Sequence, residues 1–375
     1  MRILLSITSL GVGGAERVVT ALADRYVAAG HEVMLVHFHG AADLRPSDPG
    51  VRLENLDMQR SPLGVLVALR RFRQLIQSFR PDVVNSHLVH ANLLTRLLRP
   101  ITPMPRLISS AHNTNEEGRR RMIAYRLTDR LVDLSTNVSD EAVGAFEHQG
   151  AVRPGRMIAI HNGIDTGCFV FDSVARDRIR SELGLDGATP LLLAVGRLWE
   201  QKDYPNLLHA FSHLPAEAAL PRLAVVGDGP LRAELKGLAE SLGVSRRLDF
   251  LGVRHDVPSL MAACDVFVLS SAWEGFGLVV AEAMACERLV VATDCGGVRE
   301  VVGDAGFLVP PREPDALGEG IERALRLPRE QRERLGTAAR KRVVERYSLE
   351  TTADRYLAVY RGNEPTNLRN WHVTE

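Results

Sequence analysis

Cysteine is scarce in this 375-residue chain, lysine is scarcer, and no apolar run is long. The four cysteines, Cys168, Cys264, Cys286 and Cys295, show no CxxC spacing. That excludes a disulfide scaffold and a paired-thiolate metal site, fits a reducing compartment, and leaves all four to be read as packing residues. No stretch reaches the ~18 apolar residues of a spanning helix. Met1–Leu10 runs straight into Gly11-Val12-Gly13-Gly14 without a small-residue cleavage site, so no signal peptide is expected. The location these features imply is cytoplasmic. Net charge is also missing, because Lys+Arg 46 balances Asp+Glu 46, and nothing global marks a nucleic-acid binder. Asp-x-Asp occurs nowhere, so the usual carboxylate clamp for a diphosphate-bound metal is absent. His37 and His39 share one strand face but lack a third ligand, and no metal site is expected there.

The balance hides one local asymmetry. Between Arg70 and Arg130 lie twelve arginines and four acids, an excess of eight positive charges. Such a run is either a solvated basic face or a surface for anionic lipid or a pyrophosphate-bearing acceptor.

What is present is ordinary globular composition, 45% hydrophobic and 25% charged. Short apolar runs alternate with amphipathic stretches. Strands are expected over 3–7, 32–38, 82–86, 106–110, 131–139 and 157–160, and again over 190–196, 222–227, 247–251, 266–270 and 289–293. Over 63–79, Leu66, Leu69, Phe72, Ile76 and Phe79 recur at helical spacing, and Pro81 stops the pattern. Alternating strand and helix predict an α/β protein with parallel sheets. The turn signal Asn162-Gly163 and the unpatterned stretch after it divide the chain into two similar Rossmann-like domains facing each other across a deep cleft. The boundaries read 1–166 and 167–348, then a helix over 349–361 with Ser348 as its N-cap, expected to pack back on the first domain, and a polar tail over 362–375.

Two glycine loops invite a dinucleotide-binding reading, and both fail it. After Gly11 and Gly13 the third fingerprint position is Glu16; after Gly227 and Gly229 it is Arg232. What remains is a set of loops at strand ends in the second half. Arg197 and Lys202 offer two cations to a diphosphate. Gly275-Phe276-Gly277 precedes a helix whose free N–H groups would point at the same charge. Glu274 and Glu282 stand eight apart, one in the loop and one about a turn into the helix. Trp273 is expected to pack beside them.

Arg197 with Lys202, the Gly227-Asp228-Gly229-Pro230 turn, and Glu274 with Glu282 resemble the pattern of retaining glycosyltransferases of family four. Gly13-Gly14-Ala15-Glu16-Arg17, His112-Asn113, His161-Asn162-Gly163-Ile164-Asp165 and the Tyr347-Ser348-Leu349 region fit the same family in the same order, so the resemblance covers about residues 1–361. It implies the two-domain GT-B fold. It also implies transfer of a hexose or N-acetylhexosamine from a nucleotide-diphospho-sugar, UDP by family habit, to a saccharide or polyprenyl-diphosphate-linked acceptor, with peripheral contact to an anionic inner-membrane face. By the resemblance, Glu282 binds the ribose and Glu274 the donor sugar. Arg197 and Lys202 neutralise the departing diphosphate, and His112 lies near the sugar. The backbone at Gly252 and Val253 meets the base. The amides of Phe276, Gly277 and Leu278 hold phosphate, Gly275 beside them belongs to the donor-binding residues, and Gly13 and Gly14 approach from the other domain. His87, His90 and Asn92 are the acceptor-facing candidates. No cofactor beyond the nucleotide-sugar co-substrate and no metal is expected. The alternative is a non-catalytic nucleotide-sugar-binding partner in a polysaccharide assembly. A pyridoxal-dependent phosphorylase is disfavoured by a chain with only Lys202, Lys236 and Lys341.

Overall fold

The computed structural model describes residues 1–114, 118–214 and 220–363. These form two compact units, one from Met1–Gly163 together with the segment from Leu349 on, the other Ile164–Ser348. The proposed polar tail falls outside the described residues from position 364.

The first unit is built on seven parallel strands: β1 (Arg2–Ile7), β2 (Glu32–His37), β3 (Val51–Asn55), β4 (Val83–His87), β5 (Leu107–Ser110), β6 (Leu134–Asn137) and β7 (Met157–Ala159), in the order β3-β2-β1-β4-β5-β6-β7. The second has six: β8 (Leu191–Val195), β9 (Arg222–Val226), β10 (Leu248–Gly252), β11 (Val266–Leu269), β12 (Leu289–Thr293) and β13 (Phe307–Val309), also all parallel, in the order β10-β9-β8-β11-β12-β13. Each sheet reverses its winding once, between β1 and β4 and between β8 and β11. In doubly wound sheets a crevice opens at that reversal, beyond the carboxyl ends of the strands.

Eleven strands follow the apolar runs in the sequence. The expected strand over 131–139 narrows to β6, because Asp129–Leu131 forms a 3-10 turn. Strands β3 and β13 were not expected; both are edge strands whose partly exposed residues blur the apolar signal. The stretch after Asn162 holds a helix, Ser173–Glu182, begun by Asp172, whose carboxylate accepts from the Val174 and Ala175 amides. The helix over 63–79 is present as Pro62–Phe79, but its buried residues are Ala68, Phe72 and Ile76, while Leu63, Leu66 and Val67 lie exposed. Of the cysteines, Cys264, Cys286 and Cys295 pack inside and Cys168 is exposed, which corrects the packing expectation for that one.

The central strands of the first unit are polar, and alternation sorts their side chains to two faces. Ser109 and Ser135 point to one face and accept from the guanidinium of Arg96 at 3.0 and 2.9 Å. Arg96 is fully buried, lies 4.6 Å from the Tyr125 ring centroid and also donates to Thr128 Oγ1. Asn85, Ser110 and Thr136 are linked on the other face, under the Leu349–Tyr360 helix. There Asn85 donates to the Tyr360 hydroxyl at 2.7 Å, and Tyr360 packs edge-on against Tyr26. The last helix therefore belongs to the first unit through hydrogen bonds as well as apolar contact.

Arg96→Ala is expected to destabilise the first unit by about 3–5 kcal/mol, the range for breaking a buried charged network. Chemical denaturation followed by fluorescence checks this; a loss under about 1 kcal/mol would show the network to be dispensable.

Candidate active site

The loops after β8 and β11 stand at the reversal of the second sheet, and hydrogen bonds stitch them together. Ala272 N donates to Gln201 O at 2.8 Å, and Gln201 Nε2 donates to Trp273 O at 3.1 Å. Ser270 Oγ donates to Lys202 O at 2.7 Å. This frame places Lys202 Nζ 2.5 Å from Glu274 Oε1, which also accepts from Ser271 Oγ at 2.7 Å. The pair is nearly dry, with side-chain exposures of 15% and 9%. The family resemblance implies the ammonium at the diphosphate and the carboxylate at the donor sugar. Here each is the other's partner, so a donor that engages both must share or open this bond.

Close packing leaves no room for side chains at two positions. A Cβ on Gly296 would lie 1.8 Å from Glu274 O, and its φ of +56° is in the left-handed region. A Cβ on Gly196 would lie 2.8 Å from Lys202 Cε. Gly296 and Gly297 follow β12 and brace the Glu274 loop from behind, Gly297 N donating to Gly275 O. Gly296 is a functional position absent from the sequence candidates, and the signal for it is a Gly-Gly pair separated by two residues from the end of a buried strand.

The remaining second-unit candidates are distributed along the same edge. Gly277, at φ +87°, is the N-cap of the Leu278–Ala285 helix, and no side chain caps that helix. Its first amides and the positive helix end are thus suited to an anion. Phe276 turns its ring inward against Tyr347, leaving its main chain for any ligand role. Glu282 is buried within the helix. Gly252 ends β10 and accepts from Gly227 N at 2.8 Å, and Val253 beyond it is exposed. Arg197 is exposed, with its guanidinium 5.5 Å from the centroid of the Trp199 ring rather than joined to the ion pair.

In the first unit, Gly13 is the N-cap of the Gly14–Ala28 helix. Glu16 folds back so closely that a Cβ on Gly13 would meet its carboxylate at 2.3 Å. His112 follows β5, and its Nε2 lies 3.0 Å from Nδ1 of His87 at the end of β4. His112 Nδ1 and His87 Nε2 are buried without partners among the described residues. Burial pushes the His112 pKa down to about 4, and burial followed by the His112 charge holds His87 well below its ordinary value. The pair is therefore neutral at pH 7, one ring donating and the other accepting. Two acceptor candidates need correction. His87 is buried behind His112 and against Tyr356, and Asn92 is fully buried with its amide donating to Ser110 O and the Tyr125 hydroxyl. Only His90 of the three is exposed.

Comparison with known proteins places the chain in a class. Residues 12–167 match the model described as Glycosyltransferase Family 4, and residues 175–342 the model described as Glycosyl transferases group 1. The chain belongs to this family of glycosyltransferases, and its fold is GT-B. It is 31% identical over 252 residues to alpha-maltose-1-phosphate synthase of Mycolicibacterium smegmatis, a match spanning 64% of this chain and 64% of that protein. It is 26% identical to the Escherichia coli UDP-Gal:alpha-D-GlcNAc-diphosphoundecaprenol alpha-1,3-galactosyltransferase, over 67% of this chain and 68% of the relative. The crystal structure of Anabaena Alr3699/HepE in complex with UDP superposes with a TM-score of 0.86 at 25% identity, covering 96% of this chain and 100% of that one.

Two outcomes follow from the geometry. His112 should titrate near pH 4, and between about pH 6.5 and 4 the unfolded chain binds protons that the folded one refuses, so stability falls as pH drops through that window. NMR titration of the histidine rings checks the first part, and a pKa near 6.5 for His112 would contradict it. Gly296→Ala should displace the Glu274 carbonyl and weaken nucleotide-sugar turnover by at least about tenfold, because a small misplacement of catalytic groups is costly. Steady-state rates measure this, and unchanged kcat/KM would show that the brace does not matter.

Proposed function

We propose that the chain is a retaining glycosyltransferase that moves a hexose or N-acetylhexosamine from a nucleotide-diphospho-sugar to a saccharide or polyprenyl-diphosphate-linked acceptor. The observation that carries this reading is the dry Lys202–Glu274 pair at the reversal of the second sheet, with the uncapped Leu278–Ala285 helix following. An ammonium and a helix N-terminus suit the charge that develops on a departing diphosphate. Glu274 and Glu282 suit paired hydroxyls of sugar and ribose. The bond from sugar to diphosphate breaks, the acceptor oxygen bonds to the same carbon on the same face, and the acceptor proton passes to the leaving diphosphate oxygen. Arg197 supplies a second cation by side-chain movement. UDP is the favoured nucleotide because the Anabaena relative is seen with it. With no Asp-x-Asp in the chain, the two cations take the place of a metal.

The lipid-linked acceptor is supported by the Escherichia coli relative and by exposed basic and apolar side chains on two helices of the first unit. Arg119, Arg120, Ile123, Arg126 and Leu127 are exposed at helical spacing along Arg119–Thr128, with Arg130 beyond its end, and Leu63, Leu66 and Val67 are exposed on Pro62–Phe79. Such a mixture of arginines and apolar side chains suits an anionic lipid surface. No helix among the described residues is long and apolar enough to cross a membrane.

Incubation with UDP-, GDP- and ADP-sugars and bacterial lipid extract tests the reaction. One donor should yield labelled lipid and free nucleotide, and Glu274→Ala or Lys202→Ala should lower kcat/KM by about a hundredfold or more. Tight nucleotide binding without turnover on any acceptor would contradict the transferase reading and favour a binding partner. Cosedimentation should be greater with vesicles containing anionic lipid than with neutral ones and fall in the Ile123→Glu, Leu127→Glu double variant. Equal recovery on both vesicle types would remove the membrane contact.

A further inference from the structure

The second unit holds a cavity that the proposed reaction leaves unused. It is bounded by the Tyr204–Ser212 and Arg232–Ser241 helices, by Ala272 and Trp273, and by Arg312 and Pro314. Its volume is about 560 Å³, inside the ~300–1,000 Å³ span of small-molecule sites. Asn206 lines it, is 6% exposed, and has no hydrogen-bond partner among the described residues on either its side-chain amide nitrogen or its side-chain amide oxygen. A buried amide is costly to leave unpaired, and this one presents a donor and an acceptor side by side. Trp273, expected to be packed away, is 43% exposed at the cavity wall. Glu200, Asp203 and Glu234 add three carboxylates, and Arg312 is the lone guanidinium among the described lining residues. Burial raises the pKa of the Asp203 carboxyl, which sits on backbone held at φ +43°.

An indole face takes the C–H face of a pyranose, and amide and carboxylate oxygens take its paired hydroxyls. The excess of carboxylates repels phosphate, so the donor's diphosphate does not belong here. We infer that this cavity is a saccharide subsite, separate from the nucleotide-sugar site, that takes a neutral or amine-bearing sugar unit. Binding stands on the lining alone; its use during transfer rests on the function proposed above. Glu200 and Asp203 flank the turn that carries Lys202, and Trp273 precedes Glu274. A sugar held here therefore touches both loops that hold the ion pair, and occupancy should alter turnover.

The test titrates the full chain with glucose, N-acetylglucosamine, glucosamine and maltooligosaccharides, each with and without UDP, using ligand-observed NMR and tryptophan fluorescence. Trp199 and Trp371 are the other tryptophans, so Trp273→Phe assigns the fluorescence signal. At least one sugar should saturate at millimolar concentration, and Asn206→Leu and Trp273→Ala should each weaken it about tenfold or more. UDP affinity should stay within about twofold in both variants. Preference for oligosaccharides over monosaccharides would assign the subsite to a glycan chain, and equal affinity to a free sugar. Absence of any saturating sugar while UDP still binds would overturn the subsite alone. Sugar binding that survives both variants would also overturn it, because the sugar would then sit elsewhere. Failure of UDP to bind the parent chain would instead overturn the nucleotide-sugar reading.

Discussion

Lys202 and Glu274 lie 72 residues apart and meet at 2.5 Å with little water around them. Two charges so placed are costly to bury unless each has a close partner and further hydrogen bonds. Ser271 supplies one such bond to the carboxylate, and the backbone stitching of Gln201 to Ala272 and Trp273 holds the two loops in register. The glycines follow from the same constraint. Side chains at Gly196 or Gly296 would strike the lysine stem or the Glu274 carbonyl, so loop geometry and charge placement are one arrangement. The reversal of strand order between β8 and β11 is what brings those loops side by side.

The first unit meets a different constraint with similar economy. Its central strands carry asparagine, serine and threonine where a buried parallel sheet is ordinarily apolar. Arg96 satisfies one face and the C-terminal tyrosines help satisfy the other, which ties the end of the chain to the middle of the sheet. The neutral His87–His112 pair sits at the carboxyl ends of neighbouring strands β4 and β5. Burial keeps it uncharged at pH 7, with His112 Nδ1 buried and unpartnered among the described residues.

Much of the fold was legible because buried parallel strands read as short apolar runs, and eleven of thirteen appear near their expected places. The two missed strands are edges, where one flank is open and apolar content falls. Lys202, Glu274 and the Gly275–Leu278 turn were legible as a pattern because they lie in loops that follow strands the sequence can locate, and Glu282 because it sits in the helix that begins from that turn. Their pairing was not, because which cation meets which carboxylate depends on side-chain reach across two loops. Asn92 and His87 misled for a related reason: a polar residue after a strand looks like a surface candidate unless its buried partners, Tyr125 and His112, are known. The basic run was also only partly surface, since Arg96 within it is wholly interior.

A crystal structure of the chain with UDP would show whether the Lys202–Glu274 pair and the adjoining helix end receive the diphosphate. Diphosphate oxygens should lie within hydrogen-bonding distance of the first amides of the Leu278–Ala285 helix and of Lys202 Nζ, with the bond from Lys202 to Glu274 lengthened or shared. Ordered UDP bound away from that edge, with the ion pair undisturbed, would contradict this placement.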